Sequence, residues 1–244
     1  MHQGKSVSLV IPAYNEEDTI AEVVTEYRAL LGGPAPLLDE IVVVDNNCKD
    51  RTAERAIAAG ARVVKESRPG YGAALTGGMD AAKGDLLVLT EADGSFRARD
   101  VKKLVMYLED ADFEVGTRTT RQMVEQGANM RFLLRWGNVA MAKWLELLWY
   151  FRHEPRFTDV GCTYRALTRE CWHKIRGAMT NPGPAFSPEM MCEALMKGCR
   201  VIEVPVTYSP RAGGESKHSD TFSRQARTAW KMFRVITRKR LLGR

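Results

Sequence analysis

The sequence has no long apolar segment. No run reaches the roughly 18 to 20 apolar residues of a membrane-spanning helix, and residues 1–8 lack the apolar stretch of a signal peptide. We therefore expect a cytoplasmic protein. Hydrophobic residues make up 45% of the 244, which is typical of a globular chain long enough for one α/β domain with a sizeable core.

Paired cysteines and metal-type histidine spacings are also missing. The five cysteines form no C-x-x-C pair, so the pattern predicts reduced thiols rather than a disulfide framework or a zinc site. The four histidines show no spacing of the H-E-x-x-H type, and we assign none of them a catalytic role.

Acidic residues are absent after Asp220, so the net charge of +6 is concentrated at the C-terminus and indicates an anionic partner. On a helix, five of the eight bases recur every three or four residues along one stripe, opposite an apolar stripe. This pattern is typical of a helix that binds an anionic membrane surface. Alternatively, the apolar stripe packs on the protein's own core or on a partner. The bases are Arg224, Arg227, Lys231, Arg234, Arg238, Lys239, Arg240 and Arg244.

The N-terminal half alternates short β-branched runs with helical patterns, which predicts a mostly parallel sheet. We predict strands at 7–11, 40–44, 62–65, 85–90, 113–116 and 200–205, and helices at 18–31, 51–59, 72–83, 100–110 and 189–197. Ligands of open α/β sheets bind outside the carboxyl ends of the strands. The loops at 12–17, 45–50 and 91–96 are therefore the candidate binding loops.

Two carboxylates, Glu91 and Asp93, follow a buried strand one residue apart. Both can reach one cation if the loop turns there, because hard divalent ions such as Mg²⁺ are commonly held by one or two carboxylates together with substrate phosphates. The alternative is a solvated loop, since an isolated E-x-D is common.

Four segments together form a more specific pattern. They read V-S-L-V-I-P-A-Y-N-E-E (7–17), I-V-V-V-D-N-N-C-K-D-R-T (41–52), R-P-G-Y-G-A-A-L-T-G-G-M-D-A-A-K-G (68–84) and T-E-A-D-G-S (90–95). Over about residues 7–217 the chain resembles the family 2 glycosyltransferases of the GT-A fold, and within them the dolichyl- and polyprenyl-phosphate sugar synthases.

The resemblance implies a Rossmann-like, mostly parallel sheet flanked by helices, with a GT-A domain at 1–217 and a basic amphipathic C-terminal helix at 218–244. It also implies an inverting transfer of a hexose from a GDP- or UDP-linked sugar to a polyprenyl or dolichyl phosphate at the cytoplasmic membrane face. Mg²⁺ or Mn²⁺ would be the cofactor, bound by Glu91 and Asp93. The family usually has Asp-x-Asp at the metal, so Glu91 is the unusual member.

The nucleotide pocket follows from the same resemblance. One wall would be formed by Pro12, Ala13, Tyr14 and Glu16, while Asp45 and Asn46, where the family usually has Asp-Asp, would face the base and ribose. Gly70 and Ala92 complete the predicted nucleotide-binding set.

The phosphate-binding residues are basic. Gly116-Thr117-Arg118 matches the family's G-S-R, and residues 211–217 resemble its R-x-x-G-x-S-K loop, so Arg211 and Lys217 would close over the diphosphate. With Asp93 and Arg118 they form the predicted catalytic set. The predicted acceptor-phosphate ligands are Arg118, Arg131 and Arg135.

The acceptor side has open alternatives. A lipid phosphate is already an anionic nucleophile, so positioning and charge stabilisation suffice for catalysis. If the acceptor is instead a hydroxyl on a sugar or small molecule, Asp159 is our first choice for its base. The aromatic stretch at 130–151 fits an interfacial helix as well as a core helix, and Glu189 fits a charge at a helix N-terminus.

Two non-enzymatic alternatives rank lower: a non-catalytic nucleotide-sugar binder, and a nucleic-acid-binding protein whose basic tail contacts phosphates. No recognised nucleic-acid fold motif accompanies the tail, so we expect no nucleic acid.

Overall fold

The computed structural model of the chain describes residues 2–32, 36–128, 132–213 and 222–243. Within them, seven strands form one sheet in the order β3-β2-β1-β4-β6-β5-β7. Strand β6 runs antiparallel to both neighbours, and the other pairs are parallel. The predicted mostly parallel α/β sheet is confirmed. The strands are β1 Val7–Ala13, β2 Glu40–Asp45, β3 Arg62–Lys65, β4 Leu86–Leu89, β5 Phe113–Thr117, β6 Arg165–Thr168 and β7 Val201–Pro205.

Helices cover both faces of the sheet. They are α1 Ile20–Arg28, α2 Thr52–Ala58, α3 Tyr71–Ala81, α4 Val101–Met106, α5 Phe132–His153, α6 Arg169–Ile175, α7 Phe186–Met196 and α8 Phe222–Leu242. One core packs α3, α5, α7 and α8 on the sheet, and the other packs α1 and α4 on its opposite face. Strand β4 is buried along its whole length, which explains its continuous apolar sequence.

Helix α5 has a buried side and an exposed side, so the core interpretation of the aromatic stretch holds for its inner side and the interfacial one stays a prediction. Leu145 and Trp149 are buried in the core, whereas Trp136 is 53% exposed and Phe151 is 99% exposed. The inner side of the helix is therefore ordinary core, and its outer side presents aromatic rings to solvent.

The C-terminal helix α8 packs its apolar side on the protein itself, as the alternative interpretation held. Met232 and Ile236 are buried. Phe233 stacks on Trp144 with ring centroids 5.3 Å apart, and the indole nitrogen of Trp144 donates a hydrogen bond to Thr237. The opposite side of α8 is exposed and basic, with Arg227, Lys231, Arg234 and Arg238. No helix in the described ranges is both long and apolar enough to cross a membrane.

Candidate active site

The predicted binding loops meet at one edge of the sheet. Ala13 at the end of β1 pairs in register with Asp45 at the end of β2, and β4 beside them leads directly into residues 90–93. Strand β5 ends at Thr117, immediately before Arg118. Because these strands are parallel, the carboxyl ends bring the predicted donor residues and the first predicted phosphate ligand to the same edge.

Asp93 is held from two sides. Its carboxylate accepts a hydrogen bond from the backbone N–H of Ser95 at 2.9 Å, and its second oxygen lies 3.0 Å from Nε of Arg211. The backbone of Ala212 also donates to the carbonyl of Asp93 at 2.9 Å. Burial opposes the charge of Arg211, but Asp93 and Glu91 raise its pKa overall. The predicted arginine of the closing loop therefore lies on the predicted metal carboxylate, while Lys217 falls outside the described residues.

Glu91 accepts a hydrogen bond from the Thr163 hydroxyl at 2.8 Å. Burial and, after it, the charge of Asp93 raise the pKa of Glu91 to about 7. Two neighbouring carboxylates that resist being ionised together are suited to a divalent cation, whose charge removes the repulsion. In the parts of the chain that the structure describes, no group of three or more Asp, Glu, His or Cys residues could hold a metal. Further ligands would then come from water or from a substrate phosphate.

Arg118 and Asp159 form a buried, bidentate ion pair. The Nε and Nη2 atoms of Arg118 donate to the two carboxylate oxygens at 2.8 and 3.0 Å, and the guanidinium lies 5.3 Å from the ring centroid of Tyr208. The backbone N–H groups of Arg118 and Gly161 donate to the same carboxylate at 3.2 and 3.0 Å. Asp159 is 0% exposed and both its oxygens are bonded, which argues against the base role predicted for it. Arg118 keeps N–H groups that can still contact a phosphate.

Asn46 binds the loop before α3 through its side chain. Its amide nitrogen donates to the carbonyls of Glu66 and Arg68 at 2.9 and 2.7 Å, and its oxygen accepts from the N–H of Gly70 at 2.9 Å. The amide is thus occupied in holding the loop before α3, which leaves less of it to face the base, and its part in nucleotide binding stays a prediction. Asp45 binds the Cys48 backbone N–H at 2.9 Å through one of its oxygens.

The other predicted nucleotide residues keep their places at the edge. Pro12 and Ala13 end β1, Tyr14 follows as an exposed ring, and the N–H of Glu16 donates to Thr52 at 2.8 Å. Ala92 is buried and lies between Glu91 and Asp93 in the sequence. Their part in nucleotide binding stays a prediction.

The acceptor-side arginines are only partly described. Arg131 lies outside the described residues, and Arg135 lies in the first turns of α5. That part of α5 approaches the buried pair, because a Cβ atom on Gly161 would meet Asn138 Oδ1 at 2.6 Å and Arg118 Nη2 at 3.3 Å.

Sequence reasoning missed three supporting residues. Thr163 binds Glu91, Tyr208 lies against Arg118, and Glu203 accepts from the backbone N–H groups of Thr158 and Asp159, each at 2.8 Å. Burial raises the pKa of Glu203. The position of Thr163 shortly after the predicted acceptor-side Asp159 was the one available signal, whereas Tyr208 and Glu203 belong to no segment that the resemblance singles out.

A GT-A sheet with acidic side chains and arginines at its carboxyl edge defines the glycosyltransferase class. Residues 8–163 match the family described as Glycosyl transferase family 2, and the chain belongs to this family. A dolichyl-phosphate hexose transferase of Haloferax volcanii is 32% identical over 237 residues, 96% of each chain. An uncharacterized glycosyltransferase of Mycobacterium tuberculosis is 34% identical over 221 residues, 88% of this chain and 91% of the relative.

The fold is similar to that of the Mycobacterium tuberculosis glucosyl-3-phosphoglycerate synthase, solved in complex with Mn²⁺, uridine diphosphate and glucosyl-3-phosphoglycerate. The TM-score is 0.72 at 23% identity, covering 97% of this chain and 80% of that one. At this identity the likeness shows the fold alone.

Proposed function

We propose that this protein is an inverting, metal-dependent hexosyltransferase that moves a sugar from a GDP- or UDP-linked donor to a polyprenyl or dolichyl phosphate at the cytoplasmic membrane face. The similarity to the dolichyl-phosphate hexose transferase of Haloferax volcanii supports the acceptor class. The observation that carries the proposal is the path of α5, which begins beside the Arg118 pair and carries exposed apolar side chains on its outer surface.

That surface suits a lipid. On the outer side of α5 the exposed apolar residues are Trp136, Leu147, Tyr150 and Phe151. Aromatic and aliphatic side chains exposed together on one helix are typical of a membrane or protein contact. A prenyl chain lying along them would have its phosphate near Arg118.

Helix α8 packs on α5 through the Trp144 and Phe233 rings, and the side of α8 that faces away from the core is basic. Arg227, Lys231, Arg234 and Arg238 are exposed there. Each base near an anionic bilayer contributes about 1 kcal/mol of attraction. The two helices would therefore bind the membrane with apolar and basic contacts together.

In the reaction, Glu91 and Asp93 would hold the Mg²⁺ or Mn²⁺ ion, which supplies charge neutralisation for the donor diphosphate. Arg211 and Lys217 would bind the phosphates of the departing nucleoside diphosphate, and Tyr14 would line the base pocket. Arg118, with Arg131 and Arg135, would orient the acceptor phosphate so that its oxygen attacks C1 from the face opposite the leaving group. Such an oxygen is already anionic, so no base is needed, in agreement with the saturated contacts of Asp159.

The test is transfer of a labelled hexose. Purified protein is incubated with UDP- or GDP-linked glucose or mannose and Mn²⁺ or Mg²⁺, with polyprenyl phosphate in anionic vesicles or with 3-phosphoglycerate as acceptor. We expect label in the lipid fraction from one donor and loss of transfer on chelation. Transfer to 3-phosphoglycerate, with none to the lipid, would contradict the proposal.

A hydroxyl on a small molecule is the second acceptor class, because 98 residues of this chain are 41% identical to a glucosyl-3-phosphoglycerate synthase of Mycolicibacterium paratuberculosis. The four-base variant R227Q/K231Q/R234Q/R238Q separates the two. Lipid transfer should fall strongly, whereas transfer to a soluble hydroxyl would be unchanged. Deleting α8 is less informative, since Met232 and Ile236 belong to the core.

A further inference from the structure

Glu189 is a buried carboxylate away from the binding edge of the sheet. It lies in α7, is 1% exposed, and its Oε1 is 3.0 Å from Nζ of Lys239 in α8. It also accepts hydrogen bonds from the Thr180 hydroxyl at 2.8 Å, the Thr180 N–H at 3.2 Å and the Asn181 N–H at 2.9 Å. A buried charge persists only where such partners compensate for the lost water. These partners fix the segment 180–182 to the helix pair α7 and α8.

The segment 180–182 in turn lies directly against the start of α3. The carbonyl of Pro182 accepts the N–H of Gly72 at 2.8 Å. A Cβ atom on Gly70 would come within 2.5 Å of that carbonyl oxygen, and one on Gly72 within 2.2 Å of the Asn181 carbonyl oxygen. Both glycines are therefore required by this backbone contact, and Gly70 adopts φ +122°.

The start of α3 forms part of the candidate donor site. Gly70 donates to Asn46, which follows Asp45 at the end of β2. Tyr71 lies close to Glu91, one of the two predicted metal ligands. Burial and, after it, the charge of Glu91 raise the pKa of the Tyr71 phenol. A displacement of the segment 180–182 would therefore disturb the donor pocket in two places, near Asn46 on its predicted base side and near Glu91 on its predicted metal side.

We propose that Glu189 is a positioning residue for donor binding, acting through the segment 180–182 on the Gly70–Gly72 turn, with Lys239 as its counter-charge. The proposal rests on the proposed function only for the identity of the donor. It gives the C-terminal helix a role in the nucleotide pocket besides its exposed basic side.

Glu193 provides a matched control one helical turn along α7. It is also 1% exposed and meets the same lysine, with Oε1 2.7 Å from Nζ. In the described part of the chain its side-chain hydrogen bond goes to Lys239, whereas Glu189 also binds Thr180 and Asn181. Loss of either carboxylate therefore disturbs the buried cluster, but only loss of Glu189 releases the segment 180–182.

The experiment compares E189Q with E193Q. A glutamine at position 189 keeps one acceptor oxygen and brings an NH₂ group against the N–H groups of residues 180 and 181. Calorimetry with UDP or GDP and Mn²⁺, without acceptor, should show about tenfold weaker binding in E189Q and a change below about twofold in E193Q. Donor KM should rise in E189Q with kcat little changed. Equal effects of the two variants, or unaltered binding in E189Q, would overturn the proposal.

A milder variant covers the case in which E189Q does not fold. Thr180 is exposed, and T180V removes only its hydroxyl bond to Glu189, so about threefold weaker binding is expected in a folded protein; unchanged binding would count against the role. If the wild-type protein binds neither nucleotide, the proposed donor is wrong. Amide hydrogen exchange over residues 70–76 then decides the positioning role: it should accelerate in E189Q or T180V and not in E193Q, and no difference would refute it.

Discussion

The two carboxylate–arginine pairs of the site are built differently. Asp159 and Arg118 share two parallel hydrogen bonds, and their side chains are 0% and 12% exposed. Asp93 meets Arg211 through one contact of 3.0 Å, and the arginine side chain is 32% exposed. Arg211 lies on the loop after β7, whereas Arg118 directly follows a buried strand. The first pair is part of the framework, and the second can exchange its partner.

This difference gives the two pairs at the same sheet edge different roles, one structural and one in ligand binding. A saturated, buried pair holds its geometry, because removal of either partner leaves an uncompensated charge. A single contact on a half-exposed loop costs little to break, so Asp93 can bind a cation while Arg211 moves to the phosphates. We therefore expect variants of Asp159 to act mainly on stability and variants of the second pair mainly on turnover.

The largest effect is expected from Asp159→Ala. It leaves the Arg118 guanidinium buried without its counter-charge, and the free energy of unfolding should fall by about 3 to 5 kcal/mol. Urea denaturation measures this loss. Arg211→Ala is the comparison, with an expected loss below about 1 kcal/mol because the arginine is partly exposed and makes a single contact with Asp93. Similar losses in the two variants would remove the distinction between the pairs.

The next largest effect is expected from Asp93→Ala, which should lower turnover. Removing one electrostatic contact to a developing charge typically lowers kcat by about 10²- to 10³-fold. We expect a decrease of this size in Mn²⁺-dependent transfer, with an unchanged thermal unfolding profile. Asp110→Ala, an exposed carboxylate at the opposite edge of the sheet, serves as the control. Full activity in Asp93→Ala would refute the metal assignment.

The sheet could be predicted from the sequence because its buried strands are continuous apolar runs, and the loops after them could be assigned to one edge by the parallel rule. Strand β6 was missed, since R-A-L-T is short and begins with an arginine that pairs with Leu89 of β4 in the sheet. No local pattern marks it as a strand. The antiparallel direction of β6 brings Thr163 to the carboxyl edge beside Glu91.

The pairing of side chains was less predictable. Arg118 and Asp159 are 41 residues apart, and each was assigned separately to the acceptor. Their mutual saturation depends on tertiary packing, which spacing along the chain does not encode. The contacts of Asn46 with the loop before α3 were missed for the same reason, as they join residues 20 to 24 positions apart.

The raised pKa of Glu91 predicts that metal binding depends on pH. Its pKa is raised to about 7, so the carboxyl is largely neutral in more acidic solution, and a cation must displace its proton. Metal affinity should fall by up to about tenfold per pH unit below about pH 7 and level off above it. Calorimetry at pH 7 in two buffers of different ionisation enthalpy should detect release of about half a proton.

The control for that measurement is Glu91→Gln, in which proton release should vanish and binding weaken. Affinity that stays constant from about pH 5.5 to about pH 8 would show that Glu91 does not ligate the metal. The raised pKa also means that ionised Glu91 destabilises the fold. Its contribution to stability is therefore lost as the pH rises from the ordinary glutamate range through about 7.

The smallest effect is expected from Thr163→Val. The Thr163 hydroxyl donates to Glu91 and lowers the pKa of its carboxyl, against the larger effect of burial. Without this bond the midpoint of the metal-binding profile should move to higher pH, and affinity at pH 7 should fall about threefold, the size of one lost hydrogen bond. Thr25→Val, whose hydroxyl binds the Ala21 carbonyl of its own helix, is the control. A midpoint that moves to lower pH would mean that Thr163 does not stabilise the ionised form of Glu91.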